Sequence, residues 1–267
     1  MRAFYSDHFV LPLPEGHKFP MTKYARLRER VIAEGIVPPE RLTEAPPASW
    51  DDLRLVHTAD YVEAVAAGTL PSDVQRRIGF PWSPGMGERS RRSVGATIAA
   101  ARAALADGLG VNLAGGTHHA FADRGEGYCV FNDVAVGARV LQRDHGISRI
   151  AIVDCDVHLD DGIGDAEYLS LLAEHVHAVL EHHAPDFVFY LAGADPYEGD
   201  RLGRLRLTIE GLRTRDELVL GRCRAFDLPV AISMSGGYAL DIEAIVTIHA
   251  NTIAVAAGLA TALTPDP

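Results

Sequence analysis

The chain has 267 residues, 48% of them hydrophobic, with a mean hydropathy of +0.04 and a formal net charge of −11 from 25 basic and 36 acidic residues. That length suits one large α/β domain with a sizeable core, and the acidic balance argues against a nucleic-acid partner while leaving a cationic substrate open. Three widely spaced cysteines, Cys129, Cys155 and Cys223, form no CxxC pair, which argues against a disulfide or Cys–zinc framework and predicts a reducing, cytoplasmic setting.

Arg2–Tyr5 reads as a short strand, and the first eight residues hold no signal-peptide run. Helical periodicity follows over Thr22–Glu34 and Glu88–Asp107. Val111–Ala114 is a weak strand that runs into Gly115-Gly116-Thr117-His118-His119. The segment from Gly115 to Gly127 is long, Gly-rich and polar, the kind of loop that carries function in a compact domain. A helix is predicted over Asp133–Asp144.

Arg149–Val153 is an apolar, β-branched strand that ends in Asp154, Asp156 and His158 at alternating positions. Alternate residues share a face, and open α/β sheets place ligands beyond the carboxyl ends of their strands. Two acids and an imidazole there point to a divalent metal with mixed nitrogen and oxygen ligands. The alternative is a solvated acidic loop. After a helix at Glu167–His182, the buried-strand run Phe187–Ala192 ends in Gly193-Ala194-Asp195. An Asp and a His from one strand end with Asp195 from the next make a three-ligand set that keeps a coordination position open. The His118-His119 pair is then free to act as base and acid. A helix at Thr214–Phe226 leads to the strand Pro229–Met234, which ends in Ser235-Gly236-Gly237-Tyr238. There a phenol sits on a glycine turn; the alternative is a tight turn with a packing tyrosine. The last predicted helix spans Leu240–Leu263. Residues 244–263 carry no formal charge, but His249, Asn251 and three threonines interrupt them, so a buried helix is expected and no membrane span. Strands alternating with helices imply βαβ units: an α/β fold, a mostly parallel sheet with helices on both faces, and a single domain over residues 1–267.

Several longer motifs in order give a family resemblance. They are His57-Thr58-Ala59-Asp60-Tyr61, Gly116-Thr117-His118-His119-Ala120, Gly127-Tyr128-Cys129-Val130-Phe131-Asn132-Asp133, Asp154-Cys155-Asp156-Val157-His158, the run from Gly193 to Gly203, and Ser235-Gly236-Gly237-Tyr238. Together they resemble the histone deacetylase superfamily, in its bacterial form similar to the class IV enzymes. The resemblance implies an arginase/deacetylase-like three-layer sandwich. It implies zinc, with Fe(II) or Co(II) compatible with so hard a donor set, held by Asp156, His158 and Asp195. It further implies hydrolysis of an N-acyl amide, foremost an acyl-lysine in a peptide or protein, or a small N-acyl amine. His118 is then oriented by Asp154, and His119 by an acid whose best match is Asp161. Tyr238 donates to the developing oxyanion, and Gly127, Tyr128 and Gly236 face the substrate. Cys129 reads as a small buried hydrophobe and Asp200 as a loop-ordering group. Non-catalytic and arginase-like readings are the alternatives, and nothing in the residues sets an oligomeric state.

The chain also departs from that pattern. After His158 the family carries a further helix–strand unit of roughly 30 residues. Here Leu159-Asp160-Asp161-Gly162-Ile163-Gly164-Asp165 leads directly into the next helix. A missing strand is expected to expose a sheet edge, to remove one wall of the substrate tunnel and to impair activity.

Overall fold

Side-chain caps start the helices at Trp50–Leu53, Ala59–Ala67, Pro84–Asp107, Asp133–His145 and Ile209–Ala225. In a computed structural model, which describes residues 1–156 and 162–261, the chain forms β1 (Arg2–Tyr5), α1 (Lys23–Ala33), a 3-10 turn at Pro39–Arg41, β2 (Leu42–Glu44), α2 (Trp50–Leu53), α3 (Ala59–Ala67), α4 (Ser72–Ile78) and α5 (Pro84–Asp107). It continues with β3 (Leu109–Asn112), α6 (Asp133–His145), β4 (Ile150–Asp154), α7 (Asp165–His183), β5 (Phe187–Gly193), α8 (Ile209–Ala225), β6 (Val230–Ser235) and α9 (Ile242–Thr261). Ser83 accepts from the Met86 N–H with Pro84 in the first turn, so α5 starts one turn before its periodicity shows. Thr208 accepts from the Gly211 N–H and starts α8 at Ile209, ahead of the Thr214 expected from the pattern.

All six strands are parallel, in the order β2-β1-β3-β6-β5-β4. β5 and β6 are interior strands, buried along their whole length, as expected of continuous apolar strands covered on both faces. One face packs against α1, α7, α8 and α9 through Leu27, Leu180, Val219 and Ile253 over Val188, Tyr190 and Ile232. The other packs against α5 and α6 through Ala100, Val134 and Leu141 over Phe187, Phe189 and Leu191. This is the expected three-layer α/β sandwich. Two expectations need correction. The strand placed at Val111–Ala114 is Leu109–Asn112, because Asn112 turns its side-chain oxygen onto the Ala114 N–H and ends the ladder. Leu42–Glu44, too short to register as a pattern, is an edge strand on β1.

α9 is long and apolar enough to cross a membrane by length and composition. It packs against α1 and α8, and Ile245, Ile248, Ile253 and Ala256 are core residues.

At the opposite edge from β2, β4 has no outer neighbour among the described residues. Its Ile152 is 51% exposed, whereas Phe189, facing the same side one strand inward, is 1% exposed. Leu55, Val56, Ala138, Ile150, Ile152 and Val179 line an open groove of about 850 Å³ there. The sheet edge expected from the shortened segment is therefore present.

Candidate active site

The parallel sheet brings the ends of β3, β4, β5 and β6 to one side of the molecule, and the polar motifs follow those ends. Beyond β3, the His118–His119 loop is held from below by Asp133, which is fully buried at the start of α6. Its Oδ1 accepts from the Thr117 N–H at 2.8 Å and the Thr117 hydroxyl at 2.9 Å. Its Oδ2 accepts from the Gly116 N–H at 3.0 Å and the Thr97 hydroxyl at 2.6 Å. Asn132 caps α6 through the Ala135 N–H and donates to the carbonyls of His118 (3.1 Å) and Ala120 (3.2 Å). Asn132 and Asp133 belong to the quoted motif, but no role was read for them. The signal was a pair of capping-type residues just before a helical pattern.

Beyond β4, Asp154 Oδ2 accepts from His118 Nδ1 at 2.6 Å. That bond puts the proton on Nδ1 and leaves the Nε2 lone pair of the neutral ring exposed to the site. Nε2 lies 3.8 Å from Asp156 Oδ2 and has no hydrogen-bond partner among the described residues. Burial opposes charging the ring, but the Asp154 hydrogen bond and the fields of Asp156, Asp154 and Asp133 outweigh it, so the His118 pKa is raised above the ordinary histidine value. The two histidine rings meet edge to face at 4.3 Å.

Beyond β5, Asp195 is fully buried beside Asp156. Burial, and then the Asp156 carboxylate, push the Asp195 pKa well above the ordinary carboxyl range. Two acids in so little solvent are costly unless a cation or a proton neutralises them. The glycines around them are fitted to that cluster. A Cβ on Gly193 would fall 2.5 Å from Asp156 Cα, and one on Gly236 2.6 Å from Asp195 Cγ. Ser235 donates to Asp156 Oδ2 and ties the end of β6 to the end of β4. This donor set suits a hard divalent cation. His158 and Asp161, expected as third ligand and as the orienting acid of His119, lie outside the described residues. No group of three or more His, Cys, Asp or Glu arranged to hold a metal occurs among the described residues alone.

Beyond β6, Gly236 (φ +55°) and Gly237 (φ +87°) make the left-handed turn that delivers Tyr238. Burial pushes the Tyr238 phenol far above its ordinary pKa, so it keeps its proton. Its ring lies 5.9 Å from Tyr128 and 6.3 Å from Phe19. Tyr128 takes the left-handed region (φ +66°), costly for a bulky residue, and is pinned there by its N–H donating to the Ile78 carbonyl at 2.8 Å. Gly127, Tyr128, His119, Asp156, Gly236 and Tyr238 line one narrow cleft enclosing about 50 Å³. Cys129 is buried at its side, and burial pushes its thiol well up, as expected of an inert cysteine. Lys23 was not anticipated. It is buried at the start of α1 and donates to the Gly236 carbonyl, with Nζ 5.6 Å from the Tyr238 ring centroid.

The histone deacetylase domain profile matches residues 17–164 and 158–253, nearly the whole chain. The chain belongs to the histone deacetylase family. It is 40% identical to an uncharacterized protein of Picosynechococcus, over 92% of this chain and 94% of that one. It is 27% identical to histone deacetylase 2 of Arabidopsis thaliana, over 87% and 72%. It is also 28% identical to the acetoin utilization protein AcuC of Staphylococcus aureus, over 74% and 53%. Two solved structures share the fold. They are the HDA15 HD domain (TM-score 0.82, 20% identity, 99% of this chain and 89% of that one) and an HDAC homolog complexed with SAHA (TM-score 0.78, 21% identity, 95% and 83%). The alignment to the Picosynechococcus relative runs over 285 positions, more than the 267 residues of this chain. The two profile segments overlap at 158–164. The alignment to that relative therefore holds gaps in this chain, and the family profile breaks into two segments just beyond β4.

Proposed function

We propose that the protein hydrolyses an N-acyl amide, foremost an acyl-lysine, with a divalent metal, zinc before Fe(II) or Co(II). The observation that carries this reading is the convergence of a His118–Asp154 pair, with its Nε2 unpartnered, on the buried Asp156–Asp195 carboxylates. Asp156 and Asp195 would hold the ion, with His158 as the third ligand the family pattern supplies. The chemistry such an ion supplies is an acidified water and a polarised amide carbonyl. The protein's own groups do the rest. Asp154 keeps the His118 proton on Nδ1, so Nε2 accepts a proton from the attacking water. His119, edge-on to His118 in the cleft, protonates the leaving amine. Tyr238 holds its phenolic proton and donates it in a hydrogen bond to the developing oxyanion. Tyr128 and Gly127 form the wall against which the acyl-lysine chain lies, and the aromatic rings around them exclude water.

Steady-state hydrolysis of acetyl-lysine and longer acyl-lysine peptides tests this, with metal content measured in parallel. Asp195→Ala is expected to lose the stoichiometric divalent ion. Tyr238→Phe is expected to keep the ion and lose about 100- to 1000-fold in kcat, the scale of one preorganised oxyanion donor. An unchanged metal content in the first variant removes Asp195 from the ligand set, and an unchanged kcat in the second removes Tyr238 from the reaction. A parent chain that binds the ion but turns over no acyl-lysine substrate favours the non-catalytic reading, which the shortened segment beyond β4 motivates.

A further inference from the structure

Tyr238 stands at the end of a turn that glycine makes pliable. Gly236 and Gly237 both occupy the left-handed region and have no side chains to lock the turn. An oxyanion donor nevertheless has to be held before the reaction begins, because its advantage over water lies in needing no reorganisation. Lys23 holds the start of the turn through the Gly236 carbonyl, and Tyr238 itself is gripped by two consecutive residues on another loop. Asp200 Oδ2 accepts from the Tyr238 N–H at 2.5 Å. The next residue, Arg201, donates from Nε to the Tyr238 carbonyl at 2.6 Å. The peptide groups on both sides of the Tyr238 Cα are therefore tied by charged side chains.

The loop that supplies them is itself fixed. Asp200 Oδ1 accepts from the N–H groups of Leu202 (2.8 Å) and Gly203 (3.0 Å), closing a tight turn on its own backbone. Gly203 lies so close to the Asp195 backbone that a Cβ there would be 1.9 Å from the Asp195 carbonyl oxygen. Arg201 Nη2 also donates to the Lys18 carbonyl at 3.1 Å, tying in the N-terminal segment that carries Phe19, a ring neighbour of Tyr238. The same turn that packs on Asp195 thus sets the position of Tyr238.

We propose that Asp200 and Arg201 are positioning residues that fix the Tyr238 phenol relative to the Asp195 carboxylate. The role of the phenol rests on the function proposed above; the positioning itself does not. Each tie is a hydrogen bond to a charged group, a stronger class than a neutral pair. Losing either frees one of the two peptide groups flanking the Tyr238 Cα, while Lys23 still holds the turn upstream through the Gly236 carbonyl.

The test uses full-length protein labelled with 3-fluorotyrosine, in which the Tyr238 signal is assigned by its loss in Tyr238→Phe. The parent is expected to give one narrow ¹⁹F resonance for Tyr238. In Arg201→Ala and Asp200→Ala that resonance is expected to broaden or shift towards the free-tyrosine position, with bound metal unchanged. Arg201→Lys, which keeps the charge and one donor, is expected to restore part of the shift. On an acetyl-lysine peptide the alanine variants should lose about 10- to 100-fold in kcat with KM within about twofold, but less than about twofold further when added to Tyr238→Phe. A Tyr238 resonance unmoved in both alanine variants overturns the positioning role, whatever the activity. A moved resonance in a parent without turnover sustains it and overturns the proposed function instead. Equal further losses of kcat in the Tyr238→Phe background show that the two residues act elsewhere.

Discussion

Asp133 shows how much of the site depends on one carboxylate that need not touch a substrate. It takes four hydrogen bonds, two of them from the backbone N–H groups of Gly116 and Thr117 immediately before His118. Asp133→Ala leaves those buried donors unpaired, at about 1–3 kcal/mol each. A total loss of about 3 kcal/mol or more is expected by urea denaturation, together with a fall in turnover as the His118 loop loosens. A loss below about 1 kcal/mol indicates that water replaces the carboxylate. His249 is a different case, a fully buried imidazole on α9 with neither ring nitrogen hydrogen-bonded among the described residues. Burial, with smaller contributions from Lys23 and Arg215, holds its pKa well below the ordinary value of 6.5. The unfolded state therefore binds a proton below about pH 6.5 that the folded state refuses, and stability falls as the pH drops through that range, by up to about 1.4 kcal/mol per pH unit. His249→Leu is expected to flatten the dependence of the urea midpoint between about pH 7.5 and 5. Equal slopes in the two proteins assign the acid sensitivity to other groups.

At the scale of elements, β4 and β5 are adjacent strands with opposite environments. Both were read as buried runs, and β5 is; β4 has a covered neighbour on one side and open groove on the other. Phe187, Phe189 and Leu191 are sealed beneath α5 and α6, so Phe189→Ala is expected to cost about 3–5 kcal/mol. Ile152→Lys, on the same face one strand out, is expected to cost less than about 1 kcal/mol, because the long side chain reaches water from a half-exposed position. Urea denaturation of both variants checks the contrast. A cost for Ile152→Lys approaching that of Phe189→Ala means that the β4 face is covered in solution.

For the whole molecule, the open side of β4, near which the family profile breaks into two segments, leaves the sheet without an outer strand among the described residues. It also leaves Asp154, the partner of His118, with a side chain 35% exposed. Water around that pair weakens the hydrogen bond that sets the histidine tautomer, since the same bond is stronger in a low dielectric. Inserting a family-like helix–strand segment after His158 is expected to raise the melting temperature by covering Ile150, Ile152, Leu55 and Val56. It is also expected to raise kcat/KM on acyl-lysine peptides and to sharpen preference among acyl lengths. A lengthened chain that matches the present one in melting temperature and in kcat/KM rules out the segment as a working wall.

Much of this was legible in the sequence because it is local. Apolar runs of Arg149–Val153, Phe187–Ala192 and Pro229–Met234 with polar residues at their carboxyl ends determined the parallel sheet and the side of it that bears Asp154, Asp156, Asp195 and Tyr238. Alternation along a strand is enough to put Asp154 and Asp156 on one face. Other features depend on chain segments far apart, and no local pattern encodes them. Asp133 meets Thr97 and Gly116, Lys23 meets the carbonyl of Gly236, and Arg201 meets that of Tyr238 only because the fold brings them together. The left-handed backbone of Tyr128 belongs to the same class, since tertiary contacts to Ile78 and the surrounding rings hold a conformation its own preference disfavours. The exposure of Ile152 was decided last. The residues of β4 are those of a buried strand, and only the absence of a described neighbour beyond it in the sheet order turns that apolar face towards water.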